Sequence, residues 1–373
     1  MATKKVINNS KPASASKTTP TASAVPTTKP TFDISTSRQF SNWLAQRGCS
    51  IGFTTYQSGK LFFLGSNDKN KLSIFERSFE RPMGLYADAD QIWLSSLYTL
   101  YRFSNSLPAG TSQDGFDRQY IPQVGYYTGD IDIHDLNIDA EGKPVFINTL
   151  FGCIATTDAQ YSFRPLWQPK HLSDLAPEDR CHLNGLAMRD GKPAFVTAVS
   201  ESDIVDGWRE HRADGGVVID VAKNEVVARG LSMPHSPRWY NNQLWVANSG
   251  AGELGTVNLE TKTFEPKVFL PGYIRGLAFI DNWAVVGLSK PRHNKTFSGL
   301  RLEEKLKEKD VEARCGIYII NLNTGHIEHW LHISGVITEL YDVVTVPNVK
   351  RASFIGFRND QIRQNVHIGP ASE

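Results

Sequence analysis

Short apolar runs follow one another along the chain from Cys49 onward, separated by turns that contain Gly, Asn or Asp. The runs are rich in β-branched and aromatic residues, which is typical of β-strands. Examples are KLFFLGS, QIWLSSL, PVFINTL, GGVVIDV, QLWVANS and GIYIINL. A helical period that lasts more than two turns is present only in LRLEEKLKEKD at 300–310. The pattern therefore predicts an all-β chain.

The N-terminal segment breaks this pattern, because residues 1–32 are mostly Ser, Thr, Ala, Pro and Lys with few large apolar side chains. Such a segment cannot bury enough apolar surface to offset the entropy lost on ordering, so we predict a disordered tail. Residues 33–47 are predicted to form a short helix, with Ser35 or Thr36 as its N-cap and an apolar face of Phe40, Trp43 and Leu44. The folded domain is expected to span 33–360, followed by a C-terminal tail at 361–373.

Six segments of the chain resemble one another, and most are followed by a polar turn and an apolar strand. They are RPMGLYA (81–87), DIHDLNI (132–138), HLNGLAM (182–188), HSPRWYN (235–241), YIRGLAF (273–279) and ELYDVVT (339–345). When Gly84, Asp135, Gly185, Arg238, Gly276 and Asp342 are taken as equivalent, successive units are spaced by 51, 50, 53, 38 and 66 residues. Units of roughly 40–50 residues with four strands each are typical of a β-propeller.

The last unit has only two strands, at 339–346 and 352–357, and the surplus strands at 51–77 would complete it. We therefore predict six blades, with strands from both ends of the chain in the blade that closes the ring. A closed ring also protects strand edges that would otherwise be exposed. A seventh blade is the alternative, if residues 51–77 form a blade of their own. Two unrelated β-sandwiches would explain neither the repeated segments nor their spacing.

Each repeated segment is expected to be the innermost strand of its blade, where alternation sends every second side chain into the central channel. Three positions before the equivalent residue, this gives an entrance ring of Arg81, Asp132, His182, His235, Tyr273 and Glu339. One position before it, a deeper ring consists of Met83, His134, Asn184, Pro237, Arg275 and Tyr341. The residues between the rings are mostly apolar, so we expect them to pack into the blades. A shift of one residue in register would bury the polar residues there instead.

Imidazoles and a carboxylate that converge from separate blades match the ligands of a divalent transition metal such as Zn²⁺, Fe²⁺ or Mn²⁺. On that ground His182, His235 and Glu339 are the candidate metal ligands. Acid–base or binding chemistry without a metal is one alternative for these residues, and a hydrogen-bonded plug of the channel is another. No linear motif supports the metal, since the sequence lacks HExxH, GxSxG, a P-loop and a GxGxxG before a helix.

His134 is the candidate general acid or base, with Asp132 as its partner. The alternative is that Asp132 and Asp135 hold His134 in a purely structural contact. Arg275 and Arg81 face the same channel and are candidates to bind a substrate carboxylate or phosphate, although salt bridges to Glu339 or Asp132 explain them equally well. Further candidate substrate contacts are Asn184, Tyr273 and Tyr341.

Two long insertions follow the second strands of their units, where a propeller places its loops above the two rings. Residues 201–215 follow PAFVTAV, and residues 290–315 follow WAVVGLS. Long insertions in a compact repeat are often functional, so both are predicted to be lids. They make the entrance locally basic and offer Trp208, Arg209, His211, Arg212, Lys290, Arg292 and His293 as contacts. Shorter loops on this face offer Asn148, Asn248 and Ser249 as orienting groups. For all of them, a solvated loop is the alternative.

Composition restricts the partners and the cellular setting. The 373 residues carry 40 Lys+Arg and 39 Asp+Glu, which gives a formal charge of +1 and argues against a nucleic-acid or membrane-surface partner. No apolar run approaches the roughly 20 residues of a membrane-spanning helix, and no secretory signal is evident. The four cysteines are far apart, without a CxxC or a disulfide-like spacing, which favours free thiols and a cytoplasmic location.

Several segments together resemble an uncharacterised bacterial family of conserved hypothetical proteins, common in cyanobacteria and proteobacteria. They are TTYQSGKLFFLG, ERPMGLYAD, HDLNID, CHLNGLAM, MPHSPRWYNNQLWVANSGAGELGTVN, PGYIRGLAF and FSGL. The resemblance covers about residues 49–360 and implies a six-bladed propeller, but no activity. More distantly, the architecture is similar to gluconolactonase and strictosidine-synthase-like propellers, which act on small molecules. Those lactonases hold their metal mainly with carboxylate and amide oxygens. Because histidines stand in that region here, neither their reaction nor a calcium ion is expected.

These observations predict a metal-dependent enzyme that acts on an anionic small-molecule or peptide-derived substrate at the mouth of the channel. With water on a metal, hydrolysis and a lyase-type elimination are the least demanding reactions, and iron would permit oxidative chemistry. The alternative from another class is a propeller without catalytic activity, which binds a ligand or a partner protein through the same face.

Overall fold

The computed structural model describes residues 31–291 and 298–369, which form 26 strands, three α-helices and two short 3-10 helices. Of the tail predicted at 1–32, residues 1–30 lie outside the described residues, as do the predicted lid residues Arg292 and His293, whereas Phe32 begins the first strand. In chain order, strands β1 to β13 are Phe32–Thr36, Cys49–Thr55, Lys60–Ser66, Leu72–Ser78, Leu85–Ala87, Gln91–Ser96, Thr99–Asn105, Arg118–Tyr127, Ile133–Ile138, Pro144–Asn148, Cys153–Thr156, Arg164–Trp167 and Leu183–Arg189. Strands β14 to β26 are Lys192–Ala198, Gly216–Asp220, Glu225–Leu231, Pro234–Tyr240, Gln243–Asn248, Glu253–Asn258, Thr263–Phe269, Tyr273–Ile280, Trp283–Ser289, Gly316–Asn321, Ile327–Gly335, Val343–Pro347 and Ala352–Phe354. Helices α1 to α3 are Phe40–Arg47, Arg301–Glu308 and Gln361–Gln364, and the 3-10 helices are Gly207–His211 and Ser249–Ala251.

The strands form six sheets, and the predicted six-bladed β-propeller is confirmed. From the innermost strand outward, blade 1 is β5–β8, blade 2 is β9–β12, blade 3 is β13–β16, blade 4 is β17–β20 and blade 5 is β21–β24. Blade 6 takes its innermost strand, β25, from the C-terminal part of the chain and β2, β3 and β4 from the N-terminal part. Strands from both ends of the chain therefore close the ring in one blade, as the sequence predicts.

Two strands differ from the prediction. The segment at 352–357 does not join blade 6, because β26 pairs in parallel with β8 on the outer edge of blade 1. The first half of the predicted helix at 33–47 is strand β1, which pairs with β24 as a fifth strand of blade 5. Its residues alternate between half-buried and exposed, with Phe32 and Ile34 turned toward the core. A period of two is typical of a strand, but the prediction of a helix gave more weight to a possible N-cap.

Helix α1 follows this strand and packs on blades 5 and 6. Its buried residues are Phe40, Trp43 and Leu44, as predicted, and they join one apolar cluster with residues of β2, β3, β23 and β24. The helix ends at Gly48, whose φ of 56° lies in the left-handed region that glycine adopts without a steric penalty. The predicted helix near 300–310 is also present, as α2.

The innermost strands of blades 2–5 each contain a β-bulge where they line the channel. In β9 it lies between Ile133 and Leu136, so that one more residue is present on β9 than on its partner β10. A bulge interrupts strict alternation. Two consecutive side chains of β9 therefore both lie in the channel. His134 lines a cavity at its mouth, and Asp135 joins an ion network. The strict alternation assumed from the sequence is wrong at this point.

The six equivalent positions alternate around the ring between glycine and a charged residue. Each charged side chain bonds the residue that follows the next glycine. The backbone N–H of Leu186 donates to Asp135 (2.9 Å), Nε of Arg238 donates to the carbonyl of Leu277 (3.1 Å), and the backbone N–H of Leu85 donates to Asp342 (2.9 Å). The glycines let neighbouring strands approach, since a Cβ at Gly276 would lie 2.5 Å from the backbone nitrogen of Val343.

Arg238 also links the two carboxylates across the channel. Its guanidinium lies 2.7 Å from Asp135 and 3.6 Å from Asp342, and both acidic side chains are buried. Burial, followed by the nearby charge of Asp135, raises the pKa of Asp342 to about 7, although Arg238 opposes the shift. One connected network therefore links blades 2, 4 and 6 to one another through these side chains. It also links each of these blades to the blade that follows it in the ring.

The cysteines and the helices bear on two expectations from composition. Cys49, Cys153, Cys181 and Cys315 are all buried and free of disulfides. No helix in the described part of the chain is long and apolar enough to cross a membrane.

We expect Asp135→Ala to lower the free energy of unfolding by about 3–5 kcal/mol, because it leaves a buried cation with one distant carboxylate and two N–H groups without acceptors. Urea unfolding followed by circular dichroism measures this. The matched control is Glu141→Ala in the exposed turn of the same blade, where the carboxylate pairs only with exposed Lys143. An Asp135→Ala midpoint equal to that of the control would contradict a role of the network in closing the ring.

Candidate functional site

A cavity of about 200 Å³ opens at one mouth of the channel. It lies on the face that carries the loops entering the innermost strands and the loops between second and third strands, as predicted for the site. Its walls are Tyr56, Met83, Asp132, His134, Asp179, His182, Trp208, Arg209, Met233, Arg275 and Tyr341. The structure thus brings together the three predicted catalytic residues, the predicted metal ligand His182, and two of the predicted substrate contacts, Tyr341 and Trp208.

His182 is held from two sides. Its Nδ1 lies 2.9 and 3.0 Å from the two carboxylate oxygens of Asp179, in the loop that enters β13. The indole of Trp208 stacks on the imidazole with ring centroids 4.2 Å apart, and Nε1 of Trp208 donates to Asp179 (2.8 Å). Because a carboxylate accepts at Nδ1, the proton of the neutral ring is on Nδ1 and Nε2 carries the free lone pair. The side chain is thus an oriented proton acceptor.

His134 lies next to His182, with ring centroids 4.8 Å apart and the two planes nearly perpendicular. Its Nδ1 donates to the backbone carbonyl of Asp132 (3.0 Å), which again leaves Nε2 as the acceptor. Burial lowers the pKa of His134 to about 4, and the nearby charge of Asp132 only partly offsets this shift. His134 is therefore neutral at physiological pH.

Three of the six entrance-ring residues adopt a left-handed backbone. The φ angles are 46° at Arg81, 57° at Asp132 and 50° at His182. This region costs a non-glycine residue on the order of 1–2 kcal/mol. The same conformation at equivalent positions of three consecutive blades places these side chains at the mouth of the channel, before each innermost strand begins.

Arg275 brings a buried positive charge to the cavity. Its guanidinium lies 4.7 Å from the ring centroid of Tyr341 and 5.3 Å from that of Tyr273, within the range of cation–π contacts. Tyr56 stacks on the other side of the site against Tyr341, with centroids 5.7 Å apart. Burial keeps the pKa of Tyr341 well above 10, so the phenol stays protonated. Its hydroxyl has no hydrogen-bond partner within the described part of the chain.

Arg81 and Asp132 lie at the rim of the cavity. Arg81 pairs with Asp130, and its guanidinium is 3.8 Å from Asp132, which matches the salt-bridge alternative for this arginine. Asp135 does not hold His134, because both of its oxygens bond Arg238 and backbone N–H groups of the innermost strands.

His235 lies deeper and does not line the cavity. Nδ2 of Asn184 donates to Nε2 of His235 (3.1 Å) and to the carbonyl of Pro234 (3.0 Å). The carbonyl fixes the orientation of the amide, so Nε2 of His235 is an acceptor that is already occupied. Burial, and then the charge of Arg275, lowers the pKa of His235 well below 6.5, and the imidazole is neutral. Tyr273 and Glu339 are likewise buried outside the cavity.

A divalent metal needs several ligands that converge on one point. Among residues 31–291 and 298–369, no three His, Cys, Asp or Glu side chains are grouped so that they could hold one. The metal triad of His182, His235 and Glu339 therefore stays a prediction, and the acid–base chemistry of the cavity residues does not depend on it.

The two insertions form a cap over the mouth. Trp208 of the first and Leu300 and Leu302 of the second share one apolar cluster with Met233 and Tyr273. The guanidinium of Arg212 donates to the carbonyl of Ser298, which joins the two insertions directly (3.1 Å). Within the cap, Arg209 faces the cavity and lies 4.5 Å from the Trp208 ring, whereas His211 is exposed and lies outside the cavity.

The predicted orienting groups in the shorter loops bond the backbone instead. Asn148 accepts from the N–H of Phe151 (3.1 Å), and Asn248 accepts from the N–H of Ser232 (2.7 Å). Ser249 donates to the carbonyl of Ile274 (2.6 Å). These residues shape the loops and do not line the cavity.

A family described as a domain of unknown function, DUF4915, matches residues 38–355 and so includes every residue of the cavity. The chain belongs to the DUF4915 family. The resemblance to an uncharacterised family is thereby confirmed, and the family description brings no activity.

No curated protein matches the DUF4915 chain. Among solved structures, the nidogen/laminin complex is 11% identical, with 80% of this chain and 99% of that chain covered and a TM-score of 0.49. Virginiamycin B lyase from Staphylococcus aureus is 11% identical, with 82% and 99% covered and a TM-score of 0.38. A streptogramin B lyase is 13% identical, with 77% and 76% covered and a TM-score of 0.35. Similarities this low carry no argument about the activity of the DUF4915 chain.

Three cavity residues of the DUF4915 chain were not among the sequence candidates: Tyr56, Asp179 and Met233. Tyr56 is in the loop between the second and third strands of blade 6, and the loop rule used for the insertions would have found it. Asp179 and Met233 precede innermost strands. Asp179 is harder to find from the sequence, because its contact with His182 depends on the turn formed by residues 179–182.

We expect the imidazole of His134 to remain neutral, as the Nδ1–H tautomer, from pH 8 down to about pH 5. Burial favours the uncharged ring, and the carbonyl of Asp132 accepts from Nδ1. Long-range ¹H–¹⁵N spectra of ¹⁵N-histidine-labelled protein report the tautomer and the charge, and a His134→Gln sample assigns the signal. The control is the same protein in urea, where histidines titrate near pH 6.5. Titration of His134 in the folded protein between pH 6 and 7 would contradict the structure.

Proposed function

We propose that the DUF4915 chain is an enzyme of the lyase or hydrolase type, which acts by acid–base chemistry on a small molecule with an anionic group. The observation that carries the proposal is the Asp179–His182 pair under Trp208, placed beside a second imidazole in one cavity. An aspartate that orients an imidazole through Nδ1 is the arrangement that prepares a histidine to take up a proton at Nε2.

His182 is the general base in this proposal. When Nε2 takes a proton from substrate or from water, Asp179 stabilises the positive charge that forms on the ring, at a distance of 2.9 Å. His134 was the base expected from the sequence, but a pKa of about 4 makes it a weak proton acceptor. Its role here is to accept a hydrogen bond at Nε2 and so to orient the substrate or the attacking water.

Arg275 and Tyr341 stabilise negative charge. The guanidinium stays positive at all working pH values, and the phenol stays protonated as a hydrogen-bond donor. A carboxylate that binds there, or an enolate or oxyanion that forms there during the reaction, meets a fixed positive charge on a buried guanidinium.

The test compares wild type with His182→Asn, since asparagine tolerates the left-handed backbone at this position. Each protein is incubated with a small-molecule cell extract, and the loss of each compound is followed by mass spectrometry. We expect wild type to consume at least one compound, and the variant to do so at least about 100-fold more slowly. The matched control is His326→Gln, which changes an exposed histidine in the turn between β23 and β24.

Two results would contradict this proposal. The first is the same rate of loss in His182→Asn and wild type, which removes His182 from the chemistry. The second is an unchanged extract with every protein, which favours a propeller that only binds a ligand or a partner protein. Circular dichroism spectra identical to wild type are required of each variant.

A metal-dependent form of the same proposal is the second candidate. One observation favours it: a carboxylate that accepts from Nδ1 is also the usual partner of metal-ligating histidines. In this form, elemental analysis finds about one Zn²⁺, Fe²⁺ or Mn²⁺ per chain, and His182→Asn and His235→Asn both lose it. Wild-type protein that binds none of these ions after loading contradicts the metal-dependent form and leaves the acid–base form in place.

A further inference from the structure

The carboxylate of Asp132 faces the cavity and accepts no hydrogen bond within the described part of the chain. Its nearest basic neighbours in the described chain are Nδ1 of His134 at 3.5 Å and the guanidinium of Arg81 at 3.8 Å, both too far for good hydrogen bonds. The side chain is 32% exposed. Asp179, on the same wall, is different, because its oxygens already accept from His182 and Trp208. Asp132 is therefore the acidic group that a ligand can reach.

Opposite charges line the same cavity. Arg275 contributes a buried guanidinium and Tyr341 a hydroxyl donor, whereas Asp132 contributes a carboxylate. A simple anion at Arg275 would meet the negative charge of Asp132 in the same cavity. A ligand with one positive and one negative end makes a favourable ionic contact with each group.

The remaining walls restrict the size and character of such a ligand. Met83, Met233 and the rings of Tyr56 and Trp208 are apolar surfaces, suited to a short hydrophobic side chain. A cavity of about 200 Å³ holds roughly seven groups the size of a water molecule. That volume suits a molecule with a few carbon atoms between and beside its two charged ends.

We propose that the substrate is a small zwitterion of the α-amino acid type. Its carboxylate binds at Arg275 and Tyr341, and its ammonium group binds at Asp132. This inference rests on the proposed function, because it takes the same cavity as the substrate site. An ammonium group supplies three donors to the rim, and the carboxylate supplies acceptors for the guanidinium and the phenol.

The test is binding of the twenty common amino acids, one at a time, to the full chain by saturation-transfer NMR. Each amino acid that binds is then compared with its deaminated carboxylic acid and its decarboxylated amine. We expect the amino acid to bind at least about tenfold more tightly than either analogue, since each analogue makes only one of the two ionic contacts.

Two variants separate the charged ends. Asp132→Asn is expected to weaken the amino acid at least about tenfold and to leave the deaminated acid unchanged or tighter, because a repelling carboxylate is removed. The matched control is Asp130→Asn, which changes a half-exposed neighbour that pairs with Arg81 and does not line the cavity. The control should bind like wild type.

Each contrary outcome points to a different error. If the deaminated acid binds as well as the amino acid, or Asp132→Asn binds like wild type, the zwitterion is overturned and an anion site remains. If neither amino acids nor carboxylic acids bind, the zwitterion is overturned together with the anionic substrate of the proposed function. If the extract experiment yields a substrate without an ammonium group, the zwitterion alone is overturned.

Discussion

The guanidinium of Arg238, held between two buried carboxylates, joins the blades at the centre of the ring. Asp135 and Asp342 each accept a hydrogen bond from the backbone of the next blade. Arg238 donates a hydrogen bond to the backbone of the blade after its own, and it also forms ion pairs with both acids. Charged groups this deep are tolerated only because every one has a partner. Glycine at the three alternate positions makes room, since a Cβ there would touch the neighbouring strand.

This network decides where the candidate site can be. Asp135 is in the bulge of β9, so the preceding residue, His134, turns toward the mouth of the channel. Tyr341, the residue before Asp342, also lines the cavity, although no bulge is present in the described strands of blade 6. The acidic residues of the ion network are thus each preceded in the chain by a residue of the cavity wall, an imidazole in one case and a phenol in the other.

The other half of the site comes from loops. Asp179 and Trp208 meet at His182 from two different connections of the chain, and the cap packs Trp208 against α2 and β21 through apolar contacts. An oriented base at His182 and a fixed positive charge at Arg275 suit reactions in which a proton leaves the substrate and negative charge develops on it.

Much of the architecture follows from local sequence patterns. The repeated segments determined the number of blades, the closure of the ring by strands from both ends of the chain and the face that bears the insertions, because a period of about 50 residues and alternation within strands are local properties. The same alignment placed Asp132, His134, His182, Arg275 and Tyr341 at one mouth. These inferences needed only the order of residues and the geometry of a strand.

Other features were decided only by the tertiary structure. Strand β26 pairs with a blade from the other end of the chain, and β1 becomes a strand because an edge of blade 5 is available to it. Strict alternation could not foresee the bulges, which depend on the close approach of six strands. The partners of His182 and His235 are contacts between separate loops and blades. Such contacts are set by packing across the whole ring, so the order of residues alone does not determine them.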